Sequence, residues 1–387
     1  MRAIKVRVYP SKQQELMINK SFGCVRFVYN RALALKKSRY ESHGDNLIIT
    51  EISKMVTFWK TTKELSFLKE ANAQSLQQTL RHLDIAYKNF FKNKKGFPAF
   101  KKKSDNQSYS VVGNVKLAGS KIQFPKLGAL KIKGLRKFEG KIKTATLSKN
   151  RAGQFFVSFC VNDVKKTLKV NNVKSAVGID VGIKSLVTVS NGASFVAPNA
   201  LKAFEDKLRF YQRQQAKCTK SSRSFKKWKH KIAVVWCKIT NIKKDYIHKL
   251  SIQLVKSHDL IVVENLKIKN MVKNHKLARS ISNMSWGELF RQLEYKSEWH
   301  GKHFVKIDPK GTSQECSRCG FINKSLALKD RCWECSWCRT VLDRDLNAAI
   351  NIRKKGMDSV LKSCGDILVR EVDEARIPLF LNTGSIK

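Results

Sequence analysis

Along the first ten residues apolar side chains alternate with basic ones, with Ile4, Val6 and Val8 set against Lys5 and Arg7, until Pro10-Ser11 ends the run. A period of two predicts a strand with one buried face, and Ser11 stands where a helix N-cap is expected. From about residue 12 to 95 the period lengthens. Leu76, Leu80, Leu83, Tyr87 and Phe90 recur three and four apart, one apolar stripe on a helix. The aromatics Phe22, Phe27, Tyr29 and Tyr40 sit among basic residues and are expected to pack in the core. From about 107 to 165 short alternating runs return, at Tyr109-Val111-Val112, Leu130-Ile132, Ala145-Leu147 and Phe155-Val157-Phe159-Val161, separated by Gly and Asn turns. They predict a small β barrel or sandwich that takes in the first strand and carries the helical block as an insertion.

Near Asn172 the pattern changes again. Ala176-Val-Gly-Ile-Asp180 is a nearly continuous apolar strand ending in a carboxylate. Leu186 to Ser190 and the turn Asn191-Gly192 follow, which reads as a hairpin. Two helices are expected from about 200 to 257, joined at the basic run Lys217 to Lys231. The second carries Phe225, Trp228, Ile232, Val235, Ile239, Ile242, Tyr246 and Leu250 at coiled-coil-like spacing. Leu260-Ile-Val-Val-Glu264 is a second buried strand with a carboxylate at its end. Trp286 to Trp299 reads as a helix and Phe304 to Ile307 as a strand. There is no evident internal repeat.

Charge narrows the class of partner. Of 387 residues, 77 are Lys or Arg and 30 are Asp or Glu, a net charge of +47. A chain this basic calls for a polyanion, and nucleic acid leads. A membrane surface fits worse, because no window approaches eighteen apolar residues and Met1 to Pro10 lacks the core of a signal peptide. Five of the ten cysteines lie between Cys316 and Cys338, and Cys24, Cys160, Cys218, Cys237 and Cys364 are scattered singly. That usage fits a reducing cytoplasm. The expected location is cytoplasmic.

Two constellations carry chemistry. Cys316-Ser-Arg-Cys319 and Cys335-Ser-Trp-Cys338, fifteen residues apart, have the spacing of a four-thiolate zinc site. Cys332 is a fifth thiol three residues before the second pair, expected to be a spare. The second constellation is acidic: Asp180 and Glu264 end apolar strands, and Asp345 opens the helix that contains Asn347, Ala348, Ala349 and Ile352. Each acid alone reads as a cap or an ion-pair residue. Three so placed in a +47 chain point to an oxygen-rich site for Mg²⁺ or Mn²⁺, the setting of two-metal phosphodiester hydrolysis. Asp343 is either an outer group of that site or a helix cap. Candidate nucleic-acid contacts are Lys101 and Lys102 in the basic loop Lys92 to Lys103, and Lys226, Lys227 and Lys229 around Trp228. Lys184, four residues past Asp180, is either a phosphate contact or a solvated loop lysine. His248 and His300 read as ordinary histidines.

In order along the chain, Gly178-Ile-Asp-Val-Gly-Ile-Lys184, Val262-Val-Glu-Asn-Leu266, the paired Cys-x-x-Cys knuckles and Asp343-Arg-Asp-Leu-Asn-Ala-Ala349 resemble TnpB, a family of transposon-encoded RNA-guided DNA endonucleases related to the compact type V CRISPR effectors. Tyr9-Pro10, Phe27-Val-Tyr-Asn30, Leu76-Gln-Gln78, Gly96-Phe-Pro-Ala-Phe-Lys101, Gln107-Ser-Tyr109 and Phe124-Pro-Lys-Leu-Gly128 extend the likeness to nearly the whole chain up to about 355. The resemblance implies an α+β multidomain protein. Its parts would be a β-barrel wedge domain (1–10 and 104–170), an inserted helical recognition bundle (11–103), a RuvC-like nuclease domain of RNase H type (171–310 and 341–365) and an inserted zinc ribbon (311–340), with the tail 366–387 unassigned. It further implies that Asp180, Glu264 and Asp345 are the catalytic Mg²⁺ ligands and that the guide RNA derives from the transposon end. The double-stranded target would be cut beside a short adjacent motif read by the N-terminal lobes. Two alternatives stand beside it: a nuclease-inactive RNA-guided DNA-binding repressor, and a transposase performing strand transfer.

Overall fold

The computed structural model describes residues 2–113, 115–135, 138, 140–162, 172–327, 329–363 and 368–369. They fall into two compact units, Met1–Lys165 and Lys166–Lys387.

In the first unit β1 (Arg2–Tyr9) leads into the 32-residue helix α1 (Lys12–His43). Ser11 caps that helix as expected: its hydroxyl accepts from the Gln14 amide at 3.2 Å, and the Gln14 side chain accepts from the Ser11 amide at 3.0 Å. The helical block continues with α2 (Ile49–Trp59), a 3₁₀ turn at Ser66–Glu70 and α3 (Ala73–Asn93). The chain then forms β2 (Gln107–Val112), β3 (Lys116–Ala118), β4 (Lys121–Phe124), β5 (Gly128–Lys133), β6 (Lys141–Lys149) and β7 (Phe155–Asn162). All seven strands join one antiparallel sheet in the order β2-β6-β7-β1-β5-β4-β3. β1 thus pairs on both sides with strands that follow the helical block, from Arg2↔Val161 to Val8↔Phe155 on one side and at Arg7↔Lys133 on the other. The alternation does its work here: Phe155, Val157, Phe159 and Val161 are buried, and Leu76, Leu80 and Leu83 of α3 enter the same core. The β domain with a helical insertion is present. No ladder among the described residues joins β2 to β3, so barrel closure is not among its pairings.

The second unit opens with β8 (Asn172–Val173), β9 (Ala176–Asp180), β10 (Val187–Val189) and β11 (Ser194–Phe195), then α4 (Ala200–Ala216) and α5 (Arg223–Ser257). Next come β12 (Leu260–Glu264), α6 (Ile268–Met271), α7 (His275–Met284), α8 (Trp286–Trp299) and β13 (His303–Ile307). The chain goes on through β14 (Cys332–Glu334), β15 (Val341–Asp343), α9 (Arg344–Ser363) and β16 (Leu368–Val369), which pairs with β8. The main sheet has the order β11-β10-β9-β12-β13, with β9, β12 and β13 parallel and the first two strands antiparallel. The hairpin falls at Asn191-Gly192, where Gly192 takes φ +87° and the Asn191 side chain accepts from the Ala193 amide at 3.1 Å. The basic junction between the long helices is shorter than expected. α5 already begins at Arg223, so Lys226, Lys227 and Lys229 stand on its first turns.

β9 and β12 lack alternation because both of their faces are covered. Val177, Ile179, Ile261 and Val263 pack with Leu250 and Leu254 of α5 and Leu289 of α8. Ala176, Leu260 and Val262 pack with Ile352 and Val360 of α9. That second contact is unusually close. A Cβ on Gly178 would run into the Ala349 carbonyl oxygen and the Arg353 amide, and one on Gly356 into the Val262 side chain. Two glycines, one on a strand and one on a helix, therefore let α9 lie almost backbone-to-backbone on the sheet.

Candidate metal centres and nucleic-acid surface

Asp180 and Glu264 end adjacent parallel strands, with Ile179 opposite Val263 in register. α9 crosses those strands, and its first turn carries Asp345. Three acids far apart in sequence are thereby brought to one end of the sheet. Burial, and then the like charges of Glu264 and Asp345, push the Asp180 carboxyl up to about 8; the Val181 amide and Arg344 pull the other way. Burial also raises Glu264, opposed by a hydrogen bond from Thr312 and by the charge of Lys355. The Thr312 hydroxyl donates to Glu264 Oε1 at 2.6 Å, and Arg331 Nη1 stands 3.6 Å from Asp345 Oδ1. Mutually repelling carboxylates with oxygen-only donors suit a hard divalent cation such as Mg²⁺ or Mn²⁺. They do not form a closed cage.

The closed cage is elsewhere. Among the described residues, the one set of three or more potential ligand side chains whose donor atoms all lie within 4.8 Å of one another is Cys316, Cys319, Cys335 and Cys338. The Cys316–Cys338 and Cys319–Cys335 sulfurs are 3.7 and 3.6 Å apart. A tetrahedron with Zn–S bonds of about 2.3 Å has edges of about 3.8 Å, so four thiolates here fit zinc. The two knuckles repeat one hydrogen-bond pattern: Cys316 N donates to Phe321 O at 2.8 Å and Cys335 N to Thr340 O at 2.9 Å. Gly320 N donates to Cys316 O and Arg339 N to Cys335 O, each at 2.9 Å. Both turns need a left-handed residue after the second cysteine, and Gly320 (φ +80°) and Arg339 (φ +57°) supply it. The hydroxyl and amide of Thr340 lower the Cys338 thiol to about 6. Cys332 is exposed on β14 and outside the set, as expected of a spare thiol. Its neighbour across the ladder, Asp343, accepts from the Leu346 amide at 2.8 Å and so caps α9. The ribbon therefore runs three residues further than its expected end at 340.

The cysteine module is sewn to α9 by buried amides. Asn347 Oδ1 accepts from Ser317 N at 2.8 Å, and its Nδ2 donates to Glu315 O at 2.7 Å. Asn351 Nδ2 reaches Glu315 O at 2.6 Å and Thr312 O at 2.9 Å. Lys354 bonds Ser317 O, and Lys355 pairs with Glu315 at 2.9 Å. Sequence reasoning placed Asn347 in a motif without a task and passed over Thr312 and Asn351. Their only signal was helical spacing, since Asn347 and Asn351 sit four apart on the face of Ala348 and Ile352.

The candidate lysines divide. Lys226, Lys227 and Lys229 are exposed on α5 beside an aromatic group in which Tyr211 and Trp228 lie 5.5 Å apart and the Lys231 ammonium stands 4.2 Å over the Trp228 ring. Lys184 is exposed in the loop after β9, and Lys102 is exposed as well. Lys101 is exposed too, with its ammonium 4.0 Å over the Tyr29 ring and its backbone clasped by Asn30.

One unit is built on an antiparallel sheet with inserted helices, the other on a mixed sheet with an acidic end and a four-cysteine ribbon, the parts of a two-unit α+β protein. Residues 286–352 match the family model described as "Cas12f1-like, TNB domain", and 158–275 match one described as "Probable transposase". Residues 1–45 match "Helix-turn-helix domain", although here they form β1 and the single long helix α1. A Streptomyces pristinaespiralis protein named "Putative RNA-guided DNA endonuclease" is 37% identical over 375 residues, 94% of this chain and 91% of that one. One from Escherichia coli (strain K12), "Putative RNA-guided DNA endonuclease InsQ", is 33% identical over 385 residues, 95% of each. The chain belongs to the TnpB family. The fold is similar to that in a cryo-EM structure of a Cas12f1–sgRNA–target DNA complex, with a TM-score of 0.54 at 16% identity over 89% of this chain and 83% of the other. No helix among the described residues is long and apolar enough to cross a membrane.

Proposed function

We propose that this protein is an RNA-guided DNA endonuclease that cleaves double-stranded DNA next to a short adjacent motif, using Asp180, Glu264 and Asp345 as the carboxylates of a RuvC-like site. The observation that carries the reading is the meeting of those three acids at one end of the second unit's sheet, with Asp180 raised to about 8 by burial and by the other two. Strongly perturbed carboxylates in one place mark functional sites more often than structural ones. When bound there, Mg²⁺ or Mn²⁺ supplies an activated water and stabilises the leaving oxygen. The chain's own part is to hold three carboxylates in fixed directions, on two strands and one helix, and to bring a polyanion to them. Lys226, Lys227 and Lys229, and Lys184 near Asp180, serve the second task through phosphate contacts that carry no sequence information. Zinc at the four cysteines holds the ribbon closed and takes no part in the reaction. The guide RNA and the target DNA are the partners, and the work is done in the cytoplasm at the nucleoid. The family likeness supports the wedge and recognition roles for the sheet and helices of the first unit.

A nuclease-inactive repressor would be expected to lack an acid, and all three are present. A transposase is the reading suggested by the family description at 158–275, whereas near full-length relatives bear the endonuclease name. To test the proposal, the protein is purified with its bound nucleic acid and the RNA is sequenced. One defined RNA ending in a variable guide is expected. With that guide, Mg²⁺-dependent cleavage should fall by about a thousandfold in Asp180→Ala while DNA binding persists, since loss of metal-site charge stabilisation costs several kcal/mol. Random RNA, equal cutting by the variant, or products joined to the target in place of free breaks would overturn it.

A further inference from the structure

The ribbon touches the acidic site through a side chain that neither the motifs nor the family names single out. Thr312 is 4% exposed. Its hydroxyl has one proton and two acceptors in reach, Glu264 Oε1 at 2.6 Å and Pro309 O at 3.2 Å, and the carboxylate is both closer and charged. The backbone of Thr312 is held as firmly as its side chain. Its carbonyl accepts from Asn351 on α9, and the turn it belongs to is closed by the Gln314 and Glu315 amides on Gly311 O at 3.1 and 3.0 Å. Glu315, held in turn by Asn347 and Asn351, immediately precedes the zinc ligand Cys316. A β-branched side chain on so constrained a backbone has few rotamers open to it. Lys355 of α9, whose charge acts on Glu264, is paired with Glu315.

We propose that Thr312 is a positioning residue for the divalent-ion site: its hydroxyl, clamped between the zinc knuckle and α9, fixes the orientation of Glu264 and leaves the second carboxylate oxygen to the cation. The inference rests on the reading of Asp180, Glu264 and Asp345 as divalent-ion ligands. It gives the ribbon a direct route to Glu264 in addition to its hold on the helix that carries Asp345. A threonine that merely satisfied a strand-end carboxylate would influence folding and zinc retention and would leave ion affinity alone.

The test compares full-length Thr312→Val, which keeps the shape and removes the hydroxyl, with Thr312→Ser, which keeps the hydroxyl. Mn²⁺ binding is followed by calorimetry, with Asp180→Ala supplying the background from bound nucleic acid, and zinc per chain is measured on every sample. The expected result is Asp180-dependent Mn²⁺ binding weakened on the order of tenfold in Thr312→Val, as for a hydrogen bond to a charged group. Thr312→Ser should lie within about threefold of the parent, with zinc at one per chain throughout. Parental Mn²⁺ affinity in Thr312→Val overturns the proposal. So does loss of zinc from that variant, which would make Thr312 a scaffold residue, and so does a serine variant as weak as the valine one. A parent protein with no Asp180-dependent Mn²⁺ site removes the ion-ligand reading and this inference together. A parent that binds Mn²⁺ as expected and cuts no guided DNA removes the endonuclease reading and leaves the role of Thr312 standing.

Discussion

The four cysteines and the three carboxylates of the second unit are the two candidate metal centres, and they are built in opposite ways. The sulfurs stand 3.6 to 3.7 Å apart in pairs, near the edge of a zinc tetrahedron, while the three carboxylates do not form a set with all donor atoms within 4.8 Å of one another. Neutral thiols can crowd before a metal arrives. Carboxylates in a partly dry site repel, and burial together with the charges of Glu264 and Asp345 pushes the Asp180 carboxyl up to about 8. A closed, four-sulfur set suits an ion that stays. An open, oxygen set suits ions that keep waters and exchange ligands with a substrate.

Three substitutions break or sharpen this contrast. The largest effect is expected from Cys335→Ser, which removes a ligand of the closed set: zinc should drop from one per chain to near zero, and guided cleavage should fall about tenfold or more, as when a metal site loses its supporting shell. Zinc analysis alongside a cleavage time course checks this, and a zinc-free variant cutting at the parental rate would separate the two sites. Gly178→Ala attacks the open set and leaves the cysteines in place. The new Cβ has no room beside Ala349 O and Arg353 N, so α9 must shift, at a cost of about 1–3 kcal/mol for overpacking. Denaturant unfolding should show that loss, together with weaker cleavage and unchanged zinc content. Stability equal to the parent would mean that α9 does not depend on the close approach. Arg339→Gly is the mildest of the three and acts in the other direction. Arg339 takes φ +57° where the first knuckle has Gly320, and its ion pair with Glu334 is long, at 3.6 Å, and exposed. Relief of the left-handed strain exceeds the loss of such a pair, for a gain of about 0.5–1 kcal/mol. Zinc transfer to a competing chelator should slow about two- to fivefold, with cleavage unchanged. Faster transfer would refute the equivalence of the two turns.

Much of the fold was legible. Period two marked β1 and β7, the three-four stripe marked α3, and the nearly unbroken apolar runs marked β9 and β12 as buried strands. Barrel closure of the first unit was expected and is not among its described pairings, since alternation reports which face is buried and says nothing about which strands meet at the ends of a sheet. Charge made Lys101 visible in the sequence, while the Tyr29 ring under its ammonium lies on another element and could be seen only in the fold. The expected tail 366–387 lies outside the described residues except for Leu368–Val369.

The sequence by itself determined the cysteine site. A Cys-x-x-Cys knuckle is closed by hydrogen bonds among residues at most five positions apart, so spacing alone defines its geometry. Only the tertiary structure decided the acidic one. Asp180 and Asp345 meet because α9 packs on β9 and β12 at a distance that two missing Cβ atoms permit. Thr312, Asn347 and Asn351 acquire their tasks only once that contact is made. Short-range turns are encoded where they occur, and long-range contacts depend on the shapes of surfaces that exist only after folding.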